Sequence, residues 1–423
     1  MPLTLNRPWF VFALLVQALC APAQGADSDR DALELESEPD LEPSSAATKA
    51  FVEAGLGWAE QRYGLGSRSI SRLTLDGRHA ARLLPSTQAV VSARIDRSNP
   101  PDTRIDGAVF SLREAYLGWQ DDDAAAVLEA GRINLRDSPG YAYNPTDFFR
   151  DNALRTYATV DPASLRDNRM GSVMLRAQHL LPRGSLAVVF SPELDDSPSD
   201  SSFSLDLGST NARDRGQLSW GHRLSEKVNA ELLLYKEAGS SVRFGASFSA
   251  LVSDAVVVYA EGTHSSEPDL LSRALMLPAP SQSGNRLNAG LSYTTTTRLS
   301  LTAEYQYNGF ALDRAGWETL QVAGPDAQGA YYSQALALQD NAGQQTIFLH
   351  AVQRDLAIKN LDLTALLKLN RTDNSRMFWL DLRYRLQKFD ISLRVQRNVG
   401  NEGSEFGIVP ISTSAGAVVT AYF

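Results

Sequence analysis

The chain has 423 residues, of which 43% are hydrophobic and 21% charged, and its formal net charge is -9. This acidic balance argues against a nucleic-acid partner, because the phosphate backbone requires a basic surface. Composition alone leaves open a soluble multidomain protein or a membrane barrel, since spanning barrels alternate polar and apolar residues and so have the average hydropathy of a soluble protein.

Residues 1–26 have the pattern of a cleaved export signal. Arg7 supplies the positive start, residues 8–16 are apolar, and small residues at 21–26 offer cleavage points of the A-x-A kind. The apolar run is shorter than the ~20 residues that a spanning helix needs. The only cysteine, Cys20, lies in this segment. We therefore expect a secreted chain whose mature part has no disulfide, thiol nucleophile or thiolate metal site.

Residues 27–48 carry eight acidic side chains against one basic one, with no aromatic residue. Such a segment cannot bury a core, so the sequence predicts a disordered acidic tail in the periplasm.

From residue 49 to residue 423 the dominant pattern is alternation with period two, which places successive side chains on opposite faces of a strand. Leu299–Asn308 is apolar at odd positions and polar at even ones, and Leu361–Ala365 repeats the pattern. Phe378–Leu386 and Phe389–Gln396 alternate in the same way and are separated by only two residues. This last pair predicts a tight hairpin.

The predicted connections alternate between short and long. Short ones fall at 181–184, 224–227, 252–254 and at a turn ending at Arg298, and long ones at 192–213, 265–285, 311–344 and 400–412. A meandering barrel needs this arrangement because its two rims face different compartments. We predict an all-β, transmembrane, antiparallel up-and-down β-barrel of about 18 strands, with 16 as the alternative, and no helical architecture because period 3.6 is hard to find.

Two further features predict a lipid-facing exterior and a wet interior. Apolar faces carry aromatic residues suited to a membrane-interface girdle, namely Tyr293, Tyr305, Tyr307 and Tyr384. The opposite faces carry more charge than a dry core could bury, for example Glu304, Asp362, Lys368, Asp381 and Asp390.

The end of the chain, residues 415–423, resembles the C-terminal signal by which outer-membrane barrels are recognised for insertion. Phe423 is the terminal aromatic residue, and Ala421 stands where a second aromatic is often found. This resemblance implies insertion by the barrel-assembly machinery into the outer membrane of a Gram-negative bacterium, with lipid and lipopolysaccharide as surroundings.

A second resemblance covers residues 112–149. The order of Arg113-Glu114-Ala115-Tyr116, then Gly131-Arg132, then a long loop with Asn144-Pro145-Thr146-Asp147 is similar to barrels of the alginate-export and related porin families. It implies a channel for a hydrophilic or polymeric solute.

Residues 137–168 form the third long connection, and in porins the third outer loop folds into the lumen. By this resemblance we expect a constriction there, with charges of both signs that would orient polar solutes. The candidates on this loop are Asp147, Arg150, Asp151, Arg155 and Arg166. The alternative is structural: residues 144–147 cap a short helix, and the arginines pair with aspartates to hold the loop against the wall.

A second group of candidates lies on the polar face of the last hairpin: Arg383, Arg385 and Arg394, with Arg397 expected beside them. Arginines in a row suit carboxylate or phosphate solutes because a guanidinium binds two oxygens. Ordinary wall ion pairs with the neighbouring aspartates explain the same residues.

The sequence predicts a passive channel for small hydrophilic or anionic solutes, without a cofactor or a metal. One alternative is an exporter of an acidic exopolysaccharide with a periplasmic partner. Another is an outer-membrane barrel hydrolase, which would need a histidine beside a serine and an aspartate at the outer rim. We predict no enzyme, because no serine lies in a G-x-S-x-G motif and the five histidines have no metal-ligand spacing.

Overall fold

The computed structural model describes residues 47–62, 64–101, 107–123 and 125–423. The predicted export signal, and the acidic tail up to residue 46, lie outside these residues and stay predictions. The first strand begins at Ala47, two residues before the predicted start of the barrel.

Eighteen strands form a single sheet in which each strand pairs antiparallel with its neighbours in the chain. The strands are β1 Ala47–Gln61, β2 Ser67–Leu84, β3 Thr87–Asn99, β4 Ala108–Gln120, β5 Ala126–Ile133, β6 Ser172–Leu181, β7 Gly184–Ser191, β8 Arg215–Ser225 and β9 Val228–Glu237. They continue as β10 Arg243–Ser253, β11 Val256–Glu267, β12 Gln282–Thr294, β13 Leu299–Asn308, β14 Gln345–Gln353, β15 Leu361–Asn370, β16 Arg376–Arg385, β17 Phe389–Val399 and β18 Ile411–Tyr422.

The sheet closes on itself because β1 pairs with both β2 and β18. Phe51 stands opposite Tyr422 in this seam, and the backbone N–H of Phe423 donates to the carbonyl of Ala50 at 2.9 Å. Closure removes the unpaired backbone groups of a sheet edge. The predicted up-and-down barrel is confirmed with 18 strands, and the alternative count of 16 is wrong.

The barrel wall exposes apolar side chains on its outer face and buries polar ones on its inner face, which is the reverse of a soluble protein. On β13, Leu301 and Tyr305 are 39% and 47% exposed on the outer face, whereas Glu304 and Gln306 on the inner face are 2% and 1% exposed. Outward apolar side chains recur on every part of the ring, so the exterior requires an apolar solvent. Among the described residues, no helix has the length and apolar character to cross a membrane.

Outward aromatic residues lie in two rows, as a membrane-interface girdle requires. Nearer the rim of long connections are Trp58, Phe110, Phe190, Phe244, Tyr305, Tyr307 and Phe378. Nearer the opposite rim are Trp119, Trp220, Tyr293, Tyr384, Phe389 and Phe423. The predicted girdle residues therefore belong to both rows.

One rim carries short connections and both ends of the described chain; its shortest connections are 182–183, 226–227, 254–255, 295–298 and 386–388. Long connections, including 134–171, 192–214, 268–281, 309–344 and 400–410, lie at the other rim, which we call the long rim. The connections predicted to be short and those predicted to be long lie at opposite rims, but 238–242 and 371–375 at the long rim have only five residues each.

In the described parts of the long connections there are five helices: α1 Pro162–Asp167, α2 Leu207–Thr210, α3 Leu270–Ala274, α4 Arg314–Val322 and α5 Pro325–Ala337. The sequence did not predict α4 and α5, because α4 has only nine residues and the apolar residues of α5 do not form one clear stripe. Leu320, Tyr331 and Leu338 bury their side chains against Leu270 and Ala311 in a small core above the barrel.

The opposite polarity of the two faces predicts opposite responses to one added charge. Leu393 is 55% exposed at the middle of β17 on the outer face, whereas Gln396 lies on the inner face of the same strand. In equilibrium unfolding from lipid bilayers, Leu393→Arg should lower the free energy of unfolding by ~2–4 kcal/mol. The control Gln396→Arg should change it by less than about 1 kcal/mol. Equal losses would contradict the assignment of the faces.

Candidate functional site: a loop that crosses the lumen

Residues 134–171 connect β5 to β6 but do not remain at the rim above them. We call this segment the crossing loop. Its side chains and backbone contact the inner faces of β11 to β16, and β14 stands half-way round the ring from β5. The loop therefore crosses the lumen.

Glu261, on the inner face of β11, binds the first part of the crossing loop. Its carboxylate accepts hydrogen bonds from Ser138 Oγ at 2.5 Å, from the Gly140 N–H at 2.9 Å and from the Thr146 N–H at 3.2 Å. The hydroxyl of Thr146 donates to the same carboxylate. A buried carboxylate that accepts several backbone and hydroxyl donors is stabilised in place of its lost hydration.

A second wall carboxylate repeats this arrangement two strands further round. Glu304 on β13 accepts from the Tyr141 N–H at 2.6 Å and the Ala142 N–H at 3.2 Å. Between the two carboxylates, Asn288 Nδ2 on β12 donates to the carbonyl of Tyr143 at 2.6 Å. Three consecutive strands thus hold one stretch of the loop backbone.

Aromatic packing extends the attachment to β14–β16. The Tyr141 ring stacks on His350 with 4.7 Å between centroids, and its hydroxyl lies 3.3 Å from His350 Nε2. Tyr141 also packs against a buried apolar cluster formed by Phe348, Leu366, Met377, Trp379 and Phe406.

Residues 309–344, which we call the helical loop, hold the crossing loop from the long rim. The Asn152 N–H donates to the Ala337 carbonyl at 2.7 Å, and Gln339 Nε2 donates to the Arg150 carbonyl at 2.5 Å. Arg169 donates to Gln339 Oε1 at 2.7 Å and forms an ion pair with Asp147 at 2.5 Å.

Buried charges complete this attachment. Asp340 of the helical loop forms ion pairs with Arg286 at 2.8 Å and with Arg150 at 3.6 Å, and accepts from the Tyr143 hydroxyl at 2.5 Å. Burial alone would raise the pKa of the Asp340 carboxyl, but Arg286 and Arg150 outweigh burial and hold that pKa below its ordinary value. At Asp151 burial dominates and raises the pKa of the carboxyl, against the attraction of neighbouring arginines.

The returning part of the crossing loop contacts β2 and β3. Thr156 Oγ1 donates to Asp96 at 3.1 Å, and Arg72 donates to the Ala158 carbonyl at 2.5 Å. Arg94 donates to Asn168 Oδ1 at 2.9 Å. The loop is thus fixed on both sides of the lumen.

The candidate residues predicted on the crossing loop differ in the groups that they contact. Arg155 is buried and donates to the carbonyls of Phe110 at 2.5 Å and Ser201 at 2.6 Å, which lie outside the crossing loop. Arg166 donates to the carbonyls of Arg136 at 2.8 Å and Ser138 at 3.1 Å within it. Asp147, Arg150 and Asp151 lie in the attachment to the helical loop described above.

The short helix that residues 144–147 would cap in the alternative interpretation is absent. The helix of this loop is α1, and its N-terminal cap is Asp161, whose carboxylate accepts from the Ser164 N–H. Thr146 binds Glu261 instead, so its hydrogen-bonding group is satisfied by the wall and not by a cap.

The wall arginines form a chain of ion pairs that runs round the inner face from β16 to β3. Arg383 and Arg394 both contact Asp381, at 3.1 Å and 3.2 Å, and Arg394 also contacts Glu53 at 3.3 Å. Arg72 continues the chain from Glu53 to Asp96, at 3.9 Å and 2.9 Å.

In this chain of ion pairs the arginine side chains are more exposed than the carboxylates. The side chains of Arg383 and Arg394 are 39% and 24% exposed, whereas Asp381 is 2% and Glu53 13% exposed. Arg385, 39% exposed, pairs with Asp362 at 2.8 Å. The guanidinium groups therefore face the lumen in front of the carboxylates.

Arg397 is not a member of this group. It stands opposite Phe378 in the β16–β17 pairing, and Phe378 is exposed on the outer face. Residues opposite each other in an antiparallel pair project to the same side. The expectation that Arg397 lies on the polar inner face is wrong.

Small inward residues lie on the inner face of β1 and β18. Gly55, Gly57, Ser414 and Gly416 occupy inward positions here and are half-buried. A cavity of about 430 Å³ opens at the long rim beside them, lined by Glu60, Arg62, Gly400, Glu402 and Ser412. Among the described residues, no group of three or more metal-ligating side chains is present.

Sequence reasoning missed Glu261, Asn288 and Asp340 as residues that position the loop. Alternation along β11 and β12 would have placed the first two on the inner face. That they bind residues 138–146 depends on the path of the loop, for which the sequence has no local signal.

Two solved structures share this architecture. OccAB1 of Acinetobacter baumannii superposes with a TM-score of 0.57 at 12% identity, over 92% of this chain and 99% of that one. OccK8 (OprE) of Pseudomonas aeruginosa gives a TM-score of 0.51 at 8% identity, over 89% and 98%. The chain has a porin-like barrel fold. A mutant of the Rhodopseudomonas blastica porin aligns at 12% identity over 89% and 100%, with a TM-score of 0.45. No family model and no curated relative matches the porin-like chain in sequence.

The hydrogen bonds to Glu261 predict that its loss will free the crossing loop. Hydrogen bonds to charged groups contribute about 1.5–3 kcal/mol each, so Glu261→Ala should make chymotrypsin cleave the folded protein after Tyr141 or Tyr143 at least about tenfold faster. The matched control is Glu129→Ala, since Glu129 pairs with Arg176 on the neighbouring wall strand at 2.8 Å. Mass spectrometry of the fragments locates the cuts. Equal cleavage of the two variants would show that Glu261 does not hold the loop.

Proposed function

We propose that the protein is a passive channel for small hydrophilic solutes in the outer membrane of a Gram-negative bacterium, with the crossing loop as its constriction. The observation that supports it most directly is a closed barrel whose lumen is crossed by a loop attached to both sides. We infer that a polar passage remains between this loop and the wall at β17, β18 and β1, because small inward residues such as Gly55, Gly57 and Gly416 leave room there.

The asymmetry of the rims supports an orientation. Short turns and both ends of the described chain share one rim, as periplasmic turns do in outer-membrane barrels, while long connections face outward. The helical loop and the small core of Leu270, Leu320 and Tyr331 then lie on the outer side, where solutes would enter.

The loop charges and the wall arginines have separate roles in this proposal. Asp147, Arg150 and Arg155 hold the constriction in position through buried contacts. Arg166 does so through half-buried hydrogen bonds to backbone carbonyls, and Asp151 lies among these residues. Arg383, Arg385 and Arg394 face the passage in front of carboxylates that are more deeply buried. We therefore expect a preference for anions, because the nearest fixed charges to a solute are positive.

Single-channel recording of the full chain in a planar bilayer tests the proposal. We expect stable conductance steps and, in a salt gradient, a reversal potential on the anion-selective side. Combined Arg383→Gln, Arg385→Gln and Arg394→Gln should lower the anion-to-cation permeability ratio by at least about twofold, since they remove the exposed positive charge. Arg97→Gln is the control, because Arg97 stands opposite the outward Leu73.

Absence of steps from folded protein would contradict the channel. Steps whose selectivity is the same in the triple variant would retain the channel and reject the arginines as its selective residues.

We also infer a second candidate function, hydrolysis of lipid esters, from three side chains on the outer face at the long rim. His264 on β11 lies with Nε2 3.2 Å from Ser283 Oγ and Nδ1 2.8 Å from Asn285 Oδ1, both on β12. With its proton on Nδ1, His264 would donate to Asn285 and accept from Ser283. This order of nucleophile, base and orienting group is that of a hydrolytic triad.

In this reaction Ser283 Oγ would attack an ester carbonyl while its proton passes to His264 Nε2. The protonated His264 would then give that proton to the departing alcohol, and water would release the acyl group from Ser283 by the same steps. All three side chains are exposed at the level of the aromatic row, where lipid esters lie. Acyl transfer also needs hydrogen-bond donors that stabilise the oxyanion. The described contacts of Ser283 include no such donor. The channel therefore stays the first candidate.

A fluorophosphonate probe distinguishes the two functions, because it labels an activated serine and not a channel wall. We expect labelling of the folded full chain at Ser283, and a loss of at least about 100-fold in Ser283→Ala or His264→Ala. Ser266→Ala is the control, since Ser266 stands opposite Ser283 on β11. No labelling, or labelling that survives Ser283→Ala, would reject the hydrolase.

A further inference from the structure

Three arginines lie on the outer face of consecutive strands at the long rim. Arg376 on β16 stands opposite Leu369, and Arg397 on β17 stands opposite the outward Phe378. Arg371 follows β15 directly, and its N–H donates to the Gln345 carbonyl at 2.8 Å, which continues the strand pairing. Arg371 therefore shares the outer face with Leu369, two residues before it. We call these three residues the outer arginine cluster.

Unlike the ion-pair chain of Arg383, Arg394 and Arg72, the cluster has no counter-charge among the described residues. All three side chains are exposed, and none of them forms an ion pair or a hydrogen bond with a carboxylate of the described residues. The Arg376 guanidinium lies over the Phe378 ring at 5.8 Å. The arginines of the inner ion-pair chain, by contrast, contact carboxylates, for example Arg394 and Asp381 at 3.2 Å. Three neighbouring positive charges without a partner repel one another, so they favour an anionic ligand.

Strand register places Arg376 between Arg371 and Arg397, so that each of these two residues can share an anion with Arg376. Arg376 and Arg397 occupy diagonal positions on adjacent strands, as do Arg371 and Arg376. Diagonal neighbours in an antiparallel pair are ~7–8 Å apart, a distance that arginine side chains can bridge. A guanidinium binds two oxygens of a phosphate in one plane, which suits this group to a phosphate with several free oxygens.

An apolar surface lies directly below the cluster, toward the middle of the barrel. Phe378 and Leu380 on β16 are 39% and 45% exposed, and Val395 and Leu393 on β17 are 43% and 55% exposed. These four side chains form two adjacent columns on which acyl chains can lie. Positive charge above an apolar column matches an amphiphile with an anionic headgroup.

We propose that the outer arginine cluster binds the phosphate group of a lipid in the membrane leaflet next to the long rim. This inference rests on the membrane orientation proposed above and not on conduction. Free phosphate has the same headgroup chemistry but no acyl chains, so it would use the arginines and not the apolar columns.

The test uses folded full-length protein in detergent, titrated with diphosphoryl lipid A or with dephosphorylated lipid A and followed by native mass spectrometry. We expect the protein to bind the diphosphoryl form at least about tenfold more tightly. Combined Arg371→Gln, Arg376→Gln and Arg397→Gln should abolish that difference. Arg97→Gln should retain it, because Arg97 is an exposed outward arginine on β3, outside the cluster.

Equal binding of the two lipids by the unmodified protein, or an undiminished difference in the triple variant, would overturn the proposal. A parallel titration with inorganic phosphate distinguishes a lipid headgroup from the free ion. If phosphate binds as tightly as the lipid, the ligand is the free ion and the lipid assignment is wrong. Heat-modified migration on a gel verifies folding of the triple variant. Its conductance should equal that of the unmodified protein, so failure of the channel and failure of the lipid site are observed separately.

Discussion

The structure depends on one constraint: backbone N–H and C=O groups that face an apolar solvent must be paired within the protein. Pairing of β1 with β18 satisfies it, because the seam from Phe51 and Tyr422 to Trp58 and Ala415 leaves the sheet without an edge. Once the ring is closed, each strand has one face toward lipid and one toward the lumen. The alternation of side chains along the whole chain follows from this closure.

Inside the ring, buried charges likewise need partners within the protein. Glu261 and Glu304 replace their lost hydration with N–H and hydroxyl donors of the crossing loop, and so fix its position. Asp340 does so with the guanidinium groups of Arg286 and Arg150. The crossing loop is therefore held by polar contacts from both the wall and the helical loop.

Arginine has two distinct environments, and strand position alone decides between them. Arg394 points inward and is paired with Asp381 and Glu53. Arg397, three residues later, points outward and pairs with no carboxylate of the described residues. A separation of three residues reverses the face of a strand. The lumen and the lipid-facing surface of one hairpin can thus carry charges for different ligands.

The sequence by itself determined the barrel, because period two is a local property: Leu299–Asn308 is β13 as predicted, and its polar and apolar positions have the predicted faces. The rims and the strand number followed from the spacing of such segments. Tertiary structure alone decided where the crossing loop attaches, that α4 and α5 form above the barrel, and that His264 meets Ser283 and Asn285. These contacts join residues distant in the chain through strand register and loop path, and neither is encoded by any short stretch of sequence.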